Sequence, residues 1–324
     1  MKTRLLIAVC GAVLIGWPAA AQENLTPEQQ AEVKRLQGIL ASEHPQGGDI
    51  AIPAAKATLH LGDQFYFLPP EEAKRVIVEA WHNPAANADG VLGVVFPKGK
   101  TFADSWGAIV TYEAAGYVSD KDAKTADYNK LLTQSRDGED EINQNRQKAG
   151  FPTIHLVGWA QAPTYDPVSH SEIWAKQVRF GGDTVDTLNY DTRILGRNGV
   201  LSLNLVSDIN NLTETRTAAS SLAKGAQFDS GVRYEDYKQG IDKKADYGVA
   251  GLVAAGLGVA AAQKFGLLAL IALFAKKALV LIIALGAGIA AKFRKLFGLK
   301  PKAAKVSAPL NLSDPPEQNV PKSD

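Results

Sequence analysis

The sequence predicts an α+β fold: an antiparallel β-meander sheet packed by helices, followed by a C-terminal transmembrane helical segment. Alternating apolar and polar residues, separated by turn residues, run from 154 to 206. This alternation is typical of an antiparallel sheet with one buried face and one face in water. Helical periodicity lies before and after that region. A run of Ala, Gly, Leu, Ile and Val over 248–291 is long enough to cross a membrane.

Residues 1–21 have the three parts of a secretory signal peptide. Lys2 and Arg4 form a positive n-region, residues 5–15 are apolar, and the alanines at 19–21 are the small residues that a signal peptidase reads. We expect cleavage before the glutamine that follows. The alternative is an uncleaved N-terminal anchor.

Short helices and strands alternate in the first half of the domain that follows. Thr26, with Gln29 three residues later, predicts a capping box at a helix start. Two strand-like runs, 57–61 and 64–68, flank Gly62-Asp63, which predicts a hairpin with a type II′ turn. The remaining elements are a helix from Pro70 to about 82, strands over 91–96 and 106–112, and a polar helix over about 126–148.

The predicted meander forms the second half of the domain. Its strands lie over 154–162, 172–180, 186–196 and 200–206. Asn198-Gly199 predicts a type I′ turn, in which both central residues have positive φ, so Gly199 is expected to resist replacement. A helix over about 212–224 is expected to cover the buried face of the sheet.

The charge of the chain is divided between its two ends. The region 22–263 carries 23 basic and 31 acidic residues, whereas 264–305 carries nine basic residues and no acidic one. An acidic body argues against nucleic-acid binding, and a basic segment beside an apolar run favours anionic lipid headgroups. Cys10 is the only cysteine. The mature chain therefore has no disulfide, no thiolate metal site and no cysteine nucleophile.

We divide the chain after the signal peptide into three parts. They are a soluble extracytoplasmic domain (22–246), a membrane anchor (247–298) and a basic, proline-rich disordered tail (299–324). We expect the protein in the bacterial inner membrane, with the soluble domain in the periplasm and membrane lipids around the anchor. The alternative for the apolar run is a helical hairpin buried in a soluble core.

Six segments, in this order, form a recognisable set. They are GDQFYFL (62–68), Trp106 with GYVSDKDA (116–123), NRQKAG (145–150), GWA (158–160), TLNY (187–190) with LGRNGVLSLNL (195–205), and FDSGVRY (228–234). Together they resemble the DUF2167 family of predicted membrane-anchored bacterial proteins, over about residues 50–298. The resemblance implies an exported, anchored protein and no particular activity. The chain departs from it at Asp229-Ser230, where the resemblance implies Asn-Pro, but both pairs form turns.

Two acidic residues, Asp120 and Asp122, alternate on a predicted loop, as cation ligands often do. The loop lacks the central glycine and the distal glutamate of an EF-hand. We therefore favour a solvated loop in which Asp120 caps the following helix. No metal and no cofactor is predicted.

A few histidines and one serine have the residue types of hydrolytic catalysis. The histidines on predicted strands or turns are His60, His155 and His170, and they lack the spacing of a helical zinc site. Ser169-His170, with Asp166 or Asp183, matches the composition of a Ser-His-Asp triad, which only geometry can test. We favour surface histidines and turn chemistry for these residues.

Aromatic residues in or beside the sheet are the candidate partner contacts. Most are expected to belong to the core, but a ring that the alternation turns outward would contact a partner or a glycan. Together with the two loop carboxylates, the candidates are Trp106, Tyr117, Asp120, Asp122, Trp159 and Trp174.

No motif in the sequence specifies an activity. The pattern favours a membrane-anchored cell-envelope protein with a non-catalytic binding module in the periplasm. Its expected partners are membrane lipids and another envelope protein or wall component, and not nucleic acid. The alternative is an envelope hydrolase whose site contains His155, His170 and nearby carboxylates.

The topology of the anchor can be tested. A lysine at the centre of a span costs about 2.5–3.5 kcal/mol, so Lys276-Lys277 favour a single span over about 273–291 with the tail inside. The alternative is a hairpin, 249–275 and 278–297, which leaves the tail outside. Alkaline phosphatase fused after Ser307 is expected to be inactive, and high phosphatase activity would identify the hairpin.

Overall fold

The computed structural model describes residues 26–258. The predicted signal peptide, the predicted anchor from residue 259 onwards and the predicted tail lie outside the described residues. Within residues 26–258, no helix combines the length and apolarity that a membrane span needs.

The elements follow in chain order. The helices are α1 (Pro27–Ala41), α2 (Pro70–Arg75, continued by a π-helical turn at Val76–Ala80), α3 (Tyr128–Asp137), α4 (Glu139–Lys148), α5 (Leu212–Gly225) and α6 (Val249–Gly256). The strands are β1 (Asp49–Ile52), β2 (Ala57–His60), β3 (Phe65–Leu68), β4 (Val91–Pro97), β5 (Gly107–Glu113), β6 (Tyr117–Ser119), β7 (Ile154–Asp166), β8 (Ser171–Phe180), β9 (Thr187–Leu195), β10 (Val200–Asp208), β11 (Ala226–Phe228) and β12 (Lys244–Gly248).

A seven-stranded antiparallel sheet, here called the large sheet, organises the fold. Its strand order is β3-β4-β5-β10-β9-β8-β7. The run from β7 to β10 pairs consecutively and antiparallel, which confirms the predicted meander and the α+β class. A three-stranded sheet (β1-β2-β11) and a parallel pair (β6-β12) complete the β-structure of residues 26–258.

One face of the large sheet is closed by α5 and the three-stranded sheet. Leu201, Leu203 and Leu205 alternate along β10 and are at most 1% exposed. They pack with Leu222 of α5 and Leu59 of β2 in one continuous apolar cluster. The predicted covering helix and the predicted buried face are both confirmed.

The opposite face was expected to lie in water, and this prediction is wrong over much of the sheet. Helices α1 and α2 cover its β3–β4 side, where Phe96 is fully buried. On the β7–β8 side, α3 and α6 cover Trp174, which is also fully buried. The large sheet is therefore the middle layer of the described domain.

The predicted hairpin of the runs 57–61 and 64–68 is also wrong. β2 pairs with β1 and β11 in the small sheet, whereas β3 pairs with β4 in the large one. Leu59 and Leu61 are buried against the apolar face of the large sheet. Burial of the first run beneath the sheet separates the two strands, although Gly62 has the positive φ (56°) of a turn residue.

The first helix begins as predicted. The Gln29 amide N–H donates to the Thr26 hydroxyl (3.2 Å), and the Thr26 amide N–H donates to the Gln29 side chain (2.8 Å). This capping box satisfies two N–H groups that a helix start would otherwise leave unpaired. Val33 and Leu36 then face the core.

The predicted polar helix is two helices, because the chain breaks at Gly138 between α3 and α4. These helices cover the outer edge of β7, the last strand of the large sheet. The Asn143 side-chain amide pairs with both the N–H (2.7 Å) and the C=O (2.8 Å) of Ile154. Glu139 accepts from the Leu156 amide N–H (2.7 Å). Side chains thus occupy edge groups that would otherwise offer a site for unwanted strand pairing.

The turn between β9 and β10 differs from the predicted type I′ turn. Neither Asn198 nor Gly199 is among the residues with positive φ, and the Gly196 amide N–H donates to the Gly199 carbonyl (2.8 Å). Glycine is required at position 199 because there is no room for a side chain. A Cβ at Gly199 would overlap the Glu113 carbonyl oxygen and lie 2.7 Å from the Tyr112 hydroxyl.

Replacing Gly199 with alanine is expected to lower the free energy of unfolding by about 1–3 kcal/mol, because the added methyl group must displace a paired strand. Gly47→Ala is the matched control, since a Cβ there meets nothing within 4 Å. Urea unfolding followed by tryptophan fluorescence measures both variants. Equal midpoints for the two variants would contradict the close-approach argument.

Candidate functional site

Several loops meet where β5, β7 and β9 end. We call this end of the large sheet the loop end; it comprises residues 113–122, 166–171, 195–200 and 229–243. Two backbone hydrogen bonds join loops that are far apart in sequence. The Gly116 amide N–H donates to the Asn198 carbonyl (3.0 Å), and the Tyr117 amide N–H donates to the Lys243 carbonyl (2.9 Å). Gly116 has φ of 96°, and a Cβ there would lie 2.6 Å from the Lys243 carbonyl oxygen.

Four aromatic rings stack at the loop end in the order Tyr237, Tyr117, Tyr234 and His170. Their ring centroids are separated by 3.8, 4.6 and 4.3 Å, with interplanar angles of 12°, 25° and 31°. We call this stack the aromatic ladder. Its rings come from segments far apart in the chain, so it fixes the relative positions of the loops that carry them.

A hydrogen-bond network surrounds the ladder. The Tyr165 hydroxyl donates to Asp120 Oδ2 (2.9 Å) and lies 3.2 Å from His170 Nδ1. The Asp120 amide N–H donates to the Tyr234 hydroxyl (3.2 Å). Burial raises the pKa of Tyr165, and its hydrogen bond to Asp120 raises it further. The Tyr165 hydroxyl therefore stays protonated and holds the Asp120 carboxylate in place.

The Ser-His-Asp triad, which the sequence left open as an alternative to turn chemistry, does not form. Ser169 donates directly to Asp166 Oδ2 (2.7 Å), and Asp166 also accepts from the Val168 amide (2.9 Å). His170 instead turns to Tyr165 and the ladder. Asp183 follows β8 at the other end of the sheet. Ser169 and Asp166 thus form the turn structure that the sequence favoured.

The other two histidines lie apart from this cluster and from one another. His60 contacts Asp49 (2.8 Å) on the three-stranded sheet, and His155 contacts Glu139 (2.8 Å) at the β7 edge; both histidine side chains are exposed. Among residues 26–258, no group of three or more potential metal ligands comes together. The hydrolase alternative therefore lacks the constellation of His155, His170 and carboxylates on which it was based.

Asp122 forms a cap, but on a helix far along the chain. Its carboxylate accepts from the amides of Val249 (3.0 Å) and Ala250 (3.3 Å), the first residues of α6. Gly248 permits this approach, because a Cβ there would overlap the carboxylate. The prediction that Asp120 caps the following helix is wrong, since Asp127 caps α3 through the Lys130 amide (2.9 Å).

The C-terminal end of α6 is held by two other side chains. Lys176 Nζ donates to the Gly256 carbonyl (2.5 Å), and the Ser135 hydroxyl donates to the Leu257 carbonyl (2.6 Å). A carboxylate at the start of a helix and an ammonium group at its end both interact favourably with the helix dipole. The first turns of the predicted anchor therefore pack on the sheet, where Val253 is fully buried.

Beneath α6 lies a cluster of buried charges. Asp191 Oδ1 accepts from Arg193 (2.8 Å), whose other nitrogen donates to Ser202 (2.6 Å). The Arg193 guanidinium lies 5.4 Å from the centre of the Trp174 ring. Burial lowers the pKa of Lys176, while the nearby Asp191 opposes this shift. These residues share the face that alternation assigned to water, so sequence reasoning missed them.

The residues proposed as partner contacts fall into three places. Tyr117, Asp120 and Asp122 lie at or beside the aromatic ladder. Trp174 is covered by α6, and Trp159 is half-buried in the same cluster. Trp106 is 3% exposed at the opposite end of the sheet, where its indole N–H donates to Glu214 (3.1 Å). Tyr165, Tyr234 and Tyr237 were missed, because nothing local indicates that they meet Tyr117.

Three comparisons with known proteins were informative to different degrees. A family model described as "Protein of unknown function (DUF2167)" matches residues 44–287. No curated protein matches the chain. A solved structure, that of cyanobacterial PsbP (CyanoP) from Synechocystis sp. PCC 6803, is similar with a TM-score of 0.34 and 10% sequence identity. That match covers 56% of this chain and 91% of the other.

The carboxyl group of Glu172 makes the stability of the domain depend on pH. This residue is fully buried and lies beside the buried charges of Asp191 and Arg193. Its pKa is raised from 4.5 to about 7, and burial is the main cause. The hydrogen bond from Tyr128 lowers this pKa, whereas the nearby Asp122 carboxylate raises it. Glu172 is protonated in both states at low pH, and its favourable contribution is lost as pH rises from about 4.5 through 7. We expect Glu172→Gln to be more stable than the natural chain at pH 8, by roughly 2–3 kcal/mol, and similar at pH 5.

Urea unfolding at the two pH values measures this difference, because the introduced glutamine side chain keeps an acceptor for Tyr128. Glu71→Gln, at a side chain that is 85% exposed, is the control and should follow the natural chain at both pH values. An equal offset between Glu172→Gln and the natural chain at pH 5 and pH 8 would contradict the buried-carboxyl argument.

Proposed function

Because this chain belongs to the DUF2167 family of proteins of unknown function, we propose its role from the geometry of the loop end. The protein is a non-catalytic binding module of the bacterial cell envelope, and it docks a partner protein on the loop end. Its C-terminal segment anchors it in the inner membrane, with the domain in the periplasm.

One observation carries the docking proposal. Val168 (87% exposed) and Ile241 (78% exposed) are the large hydrophobic side chains that residues 26–258 leave in water, and both lie at the loop end. Single exposed apolar residues are common on protein surfaces. These two, however, belong to loops whose positions the aromatic ladder fixes. Exposed apolar side chains on fixed loops, with polar groups around them, are typical of a protein–protein contact.

The ladder would also favour binding by limiting its cost in entropy. Tyr237 is half-buried and stacks on Tyr117 at 3.8 Å, so its ring is ordered before a partner arrives. Association is penalised by each side chain that it must immobilise, and an ordered aromatic ring avoids much of that penalty. Tyrosine is also among the residues enriched at the energetic centres of interfaces.

The proposed location follows from charge and sequence order. The signal-peptide pattern of residues 1–21 supports export, and the basic residues after 264 support contact with anionic lipids. Helix α6 begins the apolar run, and its two ends are held by Asp122 and by Lys176 of the sheet. The module would thus be held close to the membrane by a short, defined connection.

Photo-crosslinking in intact cells tests the docking surface. A benzophenone amino acid at Val168 or at Ile241 is expected to give one adduct of the same partner mass. The same probe at Thr184, exposed at the opposite end of the sheet, should give none. Equal adducts from all three positions, or none from the first two, would refute the proposal.

Charged substitutions at the two exposed apolar residues test whether the crosslinked adduct comes from specific docking or from nonspecific contact. With the probe at Gln239, which is exposed at the loop end and is not part of the ladder, Val168→Asp together with Ile241→Asp is expected to reduce the adduct at least about tenfold, since burying a carboxylate without a counter-charge is costly. Thr184→Asp is the control and should leave the adduct unchanged. An undiminished adduct in the double variant would mean that these two residues are not part of the interface.

A further inference from the structure

A groove of about 660 Å³ lies at the end of the large sheet opposite the loop end. One wall is a face of α5 together with the two residues that precede the helix, and the other consists of Gln64, Phe65, Pro97 and Trp106. Its volume is within the range of about 300–1,000 Å³ that is usual for small-molecule sites. No residue of the loop end lines the groove.

Two aromatic rings and one fixed carboxylate form the base of the groove. Phe65 and Trp106 meet edge to face, with ring centroids 5.8 Å apart. The Trp106 indole N–H donates to Glu214 Oε1 (3.1 Å). This bond orients the carboxylate, and within residues 26–258 its second oxygen has no hydrogen-bond partner and can accept one from a ligand. Trp106 is 3% exposed, so Phe65 and Pro97 supply most of the accessible apolar surface.

Apart from Ala218, the rest of the lining is polar, and Glu214 is its one charged residue. Amide and hydroxyl side chains surround the base: Gln64, Asn210, Asn211, Thr213, Thr217 and Ser221. The groove lining contains no lysine, arginine or histidine. A lining with one carboxylate and no cation disfavours phosphates and other anions. The many amides and hydroxyls disfavour a wholly apolar ligand, which would leave them without partners.

We propose that this groove binds an uncharged saccharide. Sugar hydroxyls both donate and accept, so they can bond to the Glu214 carboxylate and to amides that offer N–H and C=O together. The C–H face of a pyranose ring can lie on the apolar surface of Phe65 and Pro97. The site is independent of the partner proposed for the loop end, because the two surfaces are at opposite ends of the sheet.

The indole N–H of Trp106 provides a direct reporter of binding. In the mature full-length protein in detergent, labelled with ¹⁵N-tryptophan, we expect tetra-N-acetylchitotetraose to shift the Trp106 indole resonance in a saturable manner. The indole resonances of Trp81 and Trp159, which do not line the groove, should stay in place. If the Trp106 resonance does not move up to the solubility limit of the sugar, the proposal is overturned.

Matched substitutions on α5 locate the site. Thr217→Arg places a long side chain in the groove and should weaken binding at least about tenfold, whereas Ser220→Arg adds the same charge outside the lining and should change it less than twofold. Glu214→Gln keeps an acceptor for Trp106 and should weaken binding about fivefold, because a charge-assisted hydrogen bond is lost. Equal weakening by the two arginines, or tighter binding of citrate than of the sugar, would overturn the proposal.

Discussion

The eight residues of helix α6 are fixed at both ends by side chains of opposite charge, and one layer of the domain depends on that clamp. Asp122 binds the first amides of the helix, and Lys176 binds a carbonyl of its last turn. Gly256, the last residue of the helix, approaches the Trp174 ring so closely that a Cβ would lie 2.6 Å from it. The helix thereby buries an aromatic ring and the ion pair of Asp191 and Arg193. Removing such a cover would return these charges to water and expose an apolar surface.

The sheet was predictable where neighbouring strands are also consecutive in the chain. Alternation along β10 and turn residues between β7, β8 and β9 gave the meander in its correct order. Local pattern failed where a distant segment decides the pairing. β2 has the sequence of a hairpin partner for β3, yet it is drawn into the small sheet because Leu59 packs beneath the large one. The same limit applies to Gly199, whose neighbour Glu113 is remote in sequence.

The candidate site was only partly predictable for a related reason. Tyr117, Asp120 and Asp122 could be selected because they lie within one short loop. Their partners, Tyr165 and Tyr234, come from segments 45 and 114 residues away from Asp120. The buried charges under α6 could not be foreseen, because they alternate with core residues along β8 and β9. Alternation of this kind predicts that one face of the sheet is in contact with water, unless a covering helix is already known. The covering helix here is α6, and its residues belong to an apolar run whose composition predicts a membrane anchor.

The clamp also determines where the domain can be cut. The folded region extends past residue 246, since Tyr247, Val249, Leu252 and Leu257 are all buried. A recombinant fragment that stops at 246 would lack the whole of α6 and leave the Trp174 surface open to aggregation. A fragment that ends at Gly258 retains both the Asp122 and the Lys176 contacts. A protease acting on the intact chain would likewise release an undamaged module only if it cleaved beyond that glycine.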